Sequence, residues 1–484
     1  MAPLLVHSLL FPVMIIGLLK VLSSWKERKA RSIHYPPGPP GRLFGGNLKD
    51  IPVKKPWLAY ADWAKQYGDV MHLQMSGDHA IILSSAKAAN DLLDKRSRIY
   101  SSRGKELEDV MKLTGWDFNI GFQNYGEAWR KNRRLYQQHF RPDAVANRLR
   151  PSIEKCIAVF LNNLIDSPES LSGGLALTTM YGIKVADGNN PLLVLAKKTV
   201  HTLDDVFAPR FVSIVSRFPL VNSVPEWVPF FGPARRVIDE TRKYLHDLRE
   251  IPVQDVQRDM NLNAENGGLV AEVMREKLGN EESTEELEAI KDMAAMVFAA
   301  SADTILSSTG SFFLAMARNS EVQQKAQDEI DAVVGRDRLP TLEDRKSLPY
   351  IEAIYRETMR TNPAVPLGLP HYTTEDDFYN GHYIPKGTTV SANIWAMTHD
   401  ERVYTRPHEF KPERFFNDSG DLNDDDTILA FGFGRRVCVG RHMAETTLWL
   451  TFASVLASFV ISKNKDSTQD KDLSEFYSDG PFFS

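Results

Sequence analysis

One cysteine lies in a ten-residue segment whose composition suits metal chemistry. Residues 431–440 read FGFGRRVCVG, and Cys438 within them is one of only two cysteines in the chain. A thiolate needs positive charge nearby to stay deprotonated, and two arginines stand in the segment. Its glycines allow tight turns and the approach of a large group. We therefore expect Cys438 to carry chemistry; a buried, inert thiol is the alternative, and it is what we expect of Cys156.

Three further pairs of polar residues have spacings that could serve chemistry. Asp303 and Thr304 interrupt an apolar helical stretch, where the hydroxyl can bond the carbonyl four residues earlier. Glu–x–x–Arg at 357–360 places opposite charges on one helix face. Trp129 and Arg133 are four residues apart, so an indole N–H and a guanidinium can face one anionic group. Taken singly, each pair is more simply interpreted as an ordinary helix or surface feature.

These residues must be positioned by a large, mostly helical body. Periodicity and turn residues predict helices at 85–95, 126–140, 151–165, 190–207, 235–260, 284–319, 320–334, 348–361 and 441–459. They also predict a strand pair at 69–83 and a strand-rich patch at 371–390 with turns at 380–381 and 385–387. No internal repeat and no long linker is evident, so we expect one domain that is mainly α with small β-sheets.

Composition excludes several classes of function. The chain has 484 residues, 43% of them apolar, which is ample for a large core. A formal net charge of −5, without a long basic stripe, argues against nucleic-acid binding. Two cysteines exclude a disulfide framework and fit a reducing compartment.

The amino terminus predicts a membrane anchor. Residues 4–22 are mostly apolar, and as a helix they span about 28 Å, close to one bilayer core. Basic residues at 26, 28, 29 and 31 follow, which places the rest of the chain in the cytosol. A cleaved signal peptide is the alternative. The predicted organisation is an anchor at 1–25, a basic and proline-rich hinge at 26–41, and a catalytic domain at 42–484; a proline-rich partner ligand is the alternative for the hinge.

The cysteine segment resembles the haem-binding loop of the cytochrome P450 superfamily, Phe-x-x-Gly-x-Arg-x-Cys-x-Gly. Phe431, Gly434, Arg436, Cys438 and Gly440 match it position by position. The resemblance implies the cytochrome P450 fold, haem b as cofactor and the Cys438 thiolate as axial iron ligand.

The helix around Asp303 resembles the oxygen-binding motif of the same family, Ala-Gly-x-Asp-Thr-Thr. Ala300, Asp303 and Thr304 match, whereas Ser301 and Ile305 depart. By resemblance, Thr304 would support proton delivery to bound oxygen and Asp303 would connect that site to water.

Two other motifs support the resemblance. Glu357 and Arg360 match the Glu-x-x-Arg motif, whose partner would be Arg414 in the Pro-Glu-Arg-Phe segment, a structural network that holds the cysteine loop. The resemblance further implies a set of haem-propionate ligands, namely Trp129, Arg133, His371 and Arg436, with Arg103 as an additional candidate.

The implied activity is that of a haem-dependent monooxygenase, which inserts one oxygen atom from O₂ into an apolar small molecule. Resemblance to fungal members suggests a terpenoid or polyketide intermediate of secondary metabolism, and an endoplasmic reticulum membrane protein with one span. Electrons would come from NADPH through a separate flavoprotein reductase, for which a basic patch is the expected docking surface: Arg130, Lys131, Arg134, Arg435 and Arg441.

Alternative functions remain open at this point. Ser301 in the oxygen motif leaves a haem-thiolate isomerase or dehydratase as an alternative. Two departures leave a catalytically impaired membrane-anchored haem protein as another: the segment at 167–181 is short for the helix that relatives have there, and the segment after Tyr477 is short where relatives usually add strands.

Overall fold

A computed structural model describes residues 34–463, except for 43–44, 53, 76–77, 165–169, 186–189, 208–210, 213, 216–217, 230, 263–266 and 278–282. The predicted anchor at 1–25, the first part of the predicted hinge and the segment after Tyr477 lie outside the described residues. Within the part that is described, no helix combines the length and the apolar character that crossing a bilayer requires.

Long helices make up most of the described chain. They are α1 (Pro56–Tyr67), α2 (Lys105–Thr114), α3 (Glu127–Phe140), α4 (Arg150–Asn163), α5 (Ser170–Tyr181), α6 (Pro191–Val206), α7 (Gly232–Asn261), α8 (Leu269–Lys277), α9 (Ser283–Arg318), α10 (Ser320–Val333), α11 (Pro349–Thr361) and α12 (Arg441–Ser458). Shorter helical turns include Trp116–Phe118, Ile394–Thr398, Pro412–Phe415, Leu429–Phe431 and Gly434–Arg436.

Helix α9 runs through the middle of the helical core. Phe298 and Phe312 on it are fully buried. Phe312 stacks on Phe452 of α12 with ring centroids 4.1 Å apart, and Phe298 meets Tyr181 of α5 edge-on at 6.3 Å. Burial on several sides explains why this helix is apolar nearly all round, so that its few polar residues stand out.

Two small sheets lie beside the helices. One has strand order β1–β2–β6–β3, and the other pairs β4 with β5; the strands are β1 (Val70–Met75), β2 (Asp78–Leu83), β3 (His371–Tyr372), β4 (Asp377–Tyr379), β5 (His382–Ile384) and β6 (Thr389–Ala392). Strands β2 and β6 are parallel, whereas the other neighbours are antiparallel. The β4–β5 turn has positive φ at Asn380 and Gly381, as a tight hairpin requires.

The described part of the proline-rich segment lies against these strands. The His72 amide donates to Pro37 O at 2.9 Å, and the Tyr383 amide donates to His34 O at 2.9 Å. The Tyr35 ring stacks on that of His72, with centroids 4.9 Å apart. Gly38 is required here because a Cβ would lie 1.9 Å from His72 O.

The fold agrees with a mainly helical chain with small sheets, and with most of the predicted boundaries to within a few residues. One prediction gave the wrong type of helix. The segment at 85–95, predicted as one α-helix, is a short α-helix, Ala86–Ala89, followed by a π-helix, Asn90–Lys95. Helix α5 falls in the segment at 167–181, where a short helix was expected by resemblance, whereas α1, α2 and α8 were not predicted.

Candidate active site

The cysteine loop is folded by its glycines. Gly432 and Gly434 both have positive φ, which favours glycine. A Cβ on Gly434 would also lie 2.2 Å from Leu93 O, so the loop packs too closely there for a side chain. The Cys438 amide donates to Phe431 O at 2.8 Å, and α12 begins three residues after the cysteine. The loop therefore holds Cys438 at a fixed position ahead of a buried helix.

The Cys438 thiol faces an internal cavity. Its side chain is exposed, but onto the cavity wall inside the protein rather than onto bulk solvent. Burial raises the pKa of the thiol, while the backbone N–H of Gly440 and the charges of Arg133 and Arg441 oppose that rise. A thiolate here is therefore best stabilised by a cation bound to the sulfur itself.

The cavity has a volume of about 300 Å³. Helix α9, the Trp116–Phe122 segment, the loop after α11 and the cysteine loop form its walls. The residues that were predicted for the site and line it are Trp129, Asp303, Thr304, His371, Phe431, Arg436 and Cys438, together with Arg103 and Arg133. Side chains that are up to 335 positions apart in the sequence thus meet at one place.

Three arginines form a cation cluster in one wall, which we define as Arg103, Arg133 and Arg436. Burial lowers the pKa of Arg103 to about 9. Burial, then repulsion by the other two guanidiniums, lowers the pKa of Arg436 to about 8. Burial likewise lowers the pKa of Arg133. Among the described residues no carboxylate forms an ion pair with any of the three, so the cluster requires an anionic ligand.

The cluster donates to backbone carbonyls that surround the cavity. Arg103 Nε donates to Gly121 O at 2.7 Å, Arg436 Nε donates to Ser101 O at 2.7 Å, and Arg133 donates to Val437 O at 2.6 Å. These bonds hold the guanidiniums against the wall. Their remaining charge is available to a ligand with carboxylate groups.

Trp129 and His371 complete this wall. The Trp129 indole N–H donates to Ile120 O at 3.1 Å, and the Arg436 guanidinium lies 4.6 Å from its ring centroid. His371 Nδ1 is 2.7 Å from Tyr100 O, so this nitrogen carries the proton. Burial, then the charge of Arg103, lowers the pKa of His371 to about 3, which keeps the ring neutral.

The side chains fit a haem better than a bare metal ion. In the described residues no three His, Cys, Asp or Glu side chains gather at one point, so Cys438 does not belong to a full set of protein metal ligands. A metal held by one thiolate must bring its other donors with it, as iron in a porphyrin does. The two propionates of haem also match the unbalanced positive charge of the cation cluster. Haem would therefore provide both a cation at the Cys438 sulfur and carboxylates at the three arginines.

Helix α9 brings a hydroxyl and a carboxyl to the same cavity. Thr304 Oγ1 donates to Ala300 O at 2.8 Å, the bond to the preceding turn that its type allows. Ser301, which departs from the family motif, lies 3.4 Å from Phe298 O through Oγ. Burial raises the pKa of Asp303 to about 6, against a smaller opposing effect of His201. The carboxyl therefore changes charge close to neutral pH, as a group that passes protons must.

The raised pKa of Asp303 predicts a pH-dependent contribution to stability. The pKa of Asp303 rises from 3.8 to about 6 on folding. Between these two pH values the native protein binds more protons than the unfolded protein, so the native protein loses stability as pH rises through that range. Relative to wild type, Asp303→Asn is expected to gain stability between about pH 4 and pH 6, measured by urea unfolding of the haem-loaded protein.

Asp400→Asn is the matched control with the opposite sign. A hydrogen bond from Arg402 lowers the pKa of Asp400, so this carboxylate stabilises the fold at neutral pH. Its variant should lose stability relative to wild type as pH rises. An Asp303→Asn curve parallel to that of wild type would contradict the assignment for Asp303.

A buried ion network holds the cysteine side of the molecule together. Glu357 on α11 has no exposed surface and accepts from Arg360 Nε at 2.7 Å and from Arg414 Nε at 3.0 Å. The amide of Lys411 adds a third donor at 2.7 Å. Arg360 also donates to Thr398 O at 2.7 Å. This network ties α11 to the segment that precedes the cysteine loop.

Sequence reasoning missed two polar residues of the cavity wall, Asn119 and Ser308. Asn119 follows the Trp116–Phe118 turn and lines the cavity, although it belongs to none of the motifs. An amide within an aromatic run, shortly before the helix that carries Trp129, is the signal that could have pointed to it.

Comparison with known proteins agrees with the fold and the site. The family described as "Cytochrome P450" matches residues 36–478. Cytochrome P450 monooxygenase COX2 of Coprinopsis cinerea is 40% identical over 452 residues, which cover 90% of this chain and 85% of that protein. Cytochrome P450 monooxygenase ple1 of Rhodocybe pseudopiperita is 37% identical, over 93% of this chain and 87% of the relative. Monooxygenase claR of Ampulloclitocybe clavipes is 36% identical, over 89% and 81%.

A thiol-bearing cavity inside a mostly helical fold, with a match that spans nearly the whole chain, defines a haem-thiolate enzyme. The chain belongs to the cytochrome P450 family. Its activity is monooxygenation, and its cofactor is haem with thiolate-ligated iron, reduced by NADPH through a reductase as is typical of the family.

Proposed function

We propose that this monooxygenase inserts one oxygen atom into an apolar terpenoid or polyketide intermediate of fungal secondary metabolism. The observation that carries the proposal is the single cavity in which Cys438, the cation cluster, Thr304 and Asp303 meet an apolar wall. That wall is built from Trp116, Phe122, Val200, Leu203, Met296, Ala364, Val365 and Leu369. Such a surface favours a compact, largely apolar molecule, and the similar proteins come from fungi.

Within this proposal, each group of residues has one task. Cys438 would bind the iron, Arg133 and Arg436 would hold the propionates, and Trp129 and His371, whose N–H groups already donate to Ile120 O and Tyr100 O, would pack beside them. When bound, haem supplies the O₂ activation. Thr304 would hold a proton at its hydroxyl on the cavity wall, and Asp303 would pass protons to it from water.

The proposed location is the endoplasmic reticulum membrane, with one span and the catalytic domain in the cytosol. Support comes from the apolar stretch at 4–22 and the basic residues that follow it. The electron donor is proposed to dock on exposed basic residues: Arg130, Lys131, Arg134, Arg435 and Arg441. Arg130 and Arg435 lie 5.6 and 5.0 Å from the Tyr125 ring centroid, and Lys131 pairs with Glu285.

The test is a reconstitution with purified, haem-loaded chain, NADPH, reductase and candidate sesquiterpenes or polyketides. We expect an oxygenated product only when reductase, NADPH and O₂ are all present. Conversion of substrate without reductase would instead support an isomerase or dehydratase. Metabolite profiles of cells with and without the protein would then identify the natural substrate.

Thr304→Val tests the proposed proton route. The substitution keeps the shape of the side chain and removes the hydroxyl that donates to Ala300 O. Product formation is expected to fall by about 10²-fold, because general acid catalysis contributes on this order. NADPH oxidation should fall much less, so product per NADPH is the measurement.

Thr358→Val is the matched control for Thr304→Val. Thr358 is a buried threonine of α11 with the same bond to the preceding turn, from Oγ1 to Ile354 O at 2.8 Å. Its variant should leave product per NADPH unchanged. Equal losses in the two variants would mean that helix distortion, not proton delivery, explains the result.

A further inference from the structure

A short turn in the cavity wall carries an amide that the proposed reaction does not use. Trp116–Phe118 form one 3₁₀ turn, and the amide of the next residue, Asn119, donates to Trp116 O at 3.0 Å. Asn119 lines the cavity, yet only 7% of its surface is exposed. A buried amide is costly unless its hydrogen-bonding groups find partners.

One end of the Asn119 side chain is fixed. Its Oδ1 accepts from the backbone N–H of Gly121 at 2.8 Å. Because an amide nitrogen cannot accept, this contact also fixes which end is oxygen. In the described residues no acceptor forms a hydrogen bond with the other end, Nδ2, which leaves a donor on the wall of the cavity.

Hydrogen bonds to its backbone carbonyls fix the loop that carries this donor. Gln123 Nε2 donates to Asp117 O at 3.0 Å, Arg436 donates to Ile120 O at 3.0 Å, and Arg103 donates to Gly121 O at 2.7 Å. A donor on a rigid loop loses little conformational entropy when a ligand binds.

Two other polar side chains of the cavity already donate to backbone carbonyls. The Thr304 hydroxyl donates to Ala300 O, and the Arg103 guanidinium donates to Gly121 O and to Leu369 O. The surroundings of Asn119 are apolar, with Trp116 and Leu369 lining the same cavity. An acceptor atom on the ligand would therefore be recognised strongly at this point, because water competes poorly in such a wall.

We infer that Asn119 Nδ2 donates a hydrogen bond to an oxygen atom of the substrate. The substrate is then an apolar molecule that already carries a carbonyl, ether or hydroxyl oxygen, not a bare hydrocarbon. This inference rests on the proposed function, since it concerns the same cavity. The reaction that supplies this substrate must therefore leave an oxygen atom on it, either retained from an acyl precursor or added by a hydroxylation or a hydration.

The test compares two probes of equal shape, 2-adamantanone and 2-methyleneadamantane, which differ in a carbonyl oxygen. Their dissociation constants are measured by equilibrium dialysis with the haem-loaded full chain, without NADPH or reductase. Wild type is expected to bind the ketone about tenfold more tightly than the alkene. Asn119→Asp keeps an oxygen for the Gly121 N–H but replaces the donor by an acceptor, so the preference should vanish.

Two further variants guard against loss of structure. Asn119→Ser retains a hydroxyl oxygen for the Gly121 N–H, but its shorter side chain cannot bring a donor to the position of Nδ2, so it should likewise lose the preference. Gln324→Leu removes an exposed amide on α10, which lines no part of the cavity, so it should keep the preference.

The outcomes separate this inference from the proposed function. A wild type without preference for the ketone, or an Asn119→Asp variant that keeps it, overturns the inference. A loss of bound haem in that variant at unchanged preference overturns it too, because the amide then serves the cofactor. Binding is measured without turnover, so failure to oxygenate any substrate would refute the proposed function and leave the ketone preference standing.

Discussion

Cys438→Ser is expected to abolish the red-shifted absorption band that the reduced, CO-bound haem protein shows when its iron carries a thiolate. Serine has nearly the same shape, so the loop bond from the residue 438 amide to Phe431 O should persist. The cation cluster and Trp129 should still retain haem, since they contact a different part of the cavity. Turnover with reductase and NADPH should drop by about a hundredfold or more, because the thiolate's electron donation promotes O–O cleavage.

Cys156→Ala is the control for Cys438→Ser. Cys156 is buried in α4, and burial raises its pKa to about 12, so it is an inert thiol. Its variant should keep both the red-shifted band and turnover. If Cys438→Ser kept the band and Cys156→Ala lost it, the ligand assignment would be wrong.

Much of the site could be predicted from the sequence because its chemistry depends on local spacing. Cys438 and its flanking glycines fall within one loop, and Asp303 and Thr304 interrupt one apolar helix. Local motifs of this kind fix residue identity and even hydrogen bonds, such as the one from Thr304 to the preceding turn. The long amphipathic and apolar helices were likewise predictable, because their periodicity extends over many turns.

What could not be predicted depends on contacts between distant segments. Strands β2 and β6 pair in parallel although about 300 residues separate them, and no local pattern encodes that partnership. The segments at 56–67 and 269–277 form helices whose short, mixed patterns did not distinguish them from loops. Asn119 faces the cavity only because Arg103 and Arg436 hold its loop against the wall.

The charge balance of the cavity was also invisible in the sequence. Arg103 and Arg436 come from segments more than 300 residues apart, so spacing alone does not group them, and only the family resemblance assigned them to the propionates. Their mutual repulsion, which helps to lower the pKa of Arg436 to about 8, exists only after folding. Repulsion of that kind indicates a missing anion more directly than a motif does, because it is a physical requirement of the folded site.

Glu357→Gln is expected to destabilise the protein by about 3–5 kcal/mol, the usual cost of removing one partner from a buried ion network. Glutamine keeps the size of the side chain but cannot accept from both Arg360 and Arg414 while it offers an N–H to one of them. The side chains of Arg360 and Arg414, which are 3% and 9% exposed, would lose their charge partner. Urea unfolding of the haem-loaded protein measures the loss, and haem should dissociate at lower urea than in wild type.

Glu375→Gln separates this effect from a general loss of negative charge. Glu375 pairs with Arg98 at 2.6 Å, but the two side chains are 51% and 70% exposed. Solvent screens such a pair, so its removal should cost far less stability than the loss of Glu357. The difference in stability loss between the two variants then reflects burial, because both sites join a carboxylate to an arginine of a distant segment. Equal losses at the two sites would mean that the network around Glu357 does not hold the cysteine loop in place.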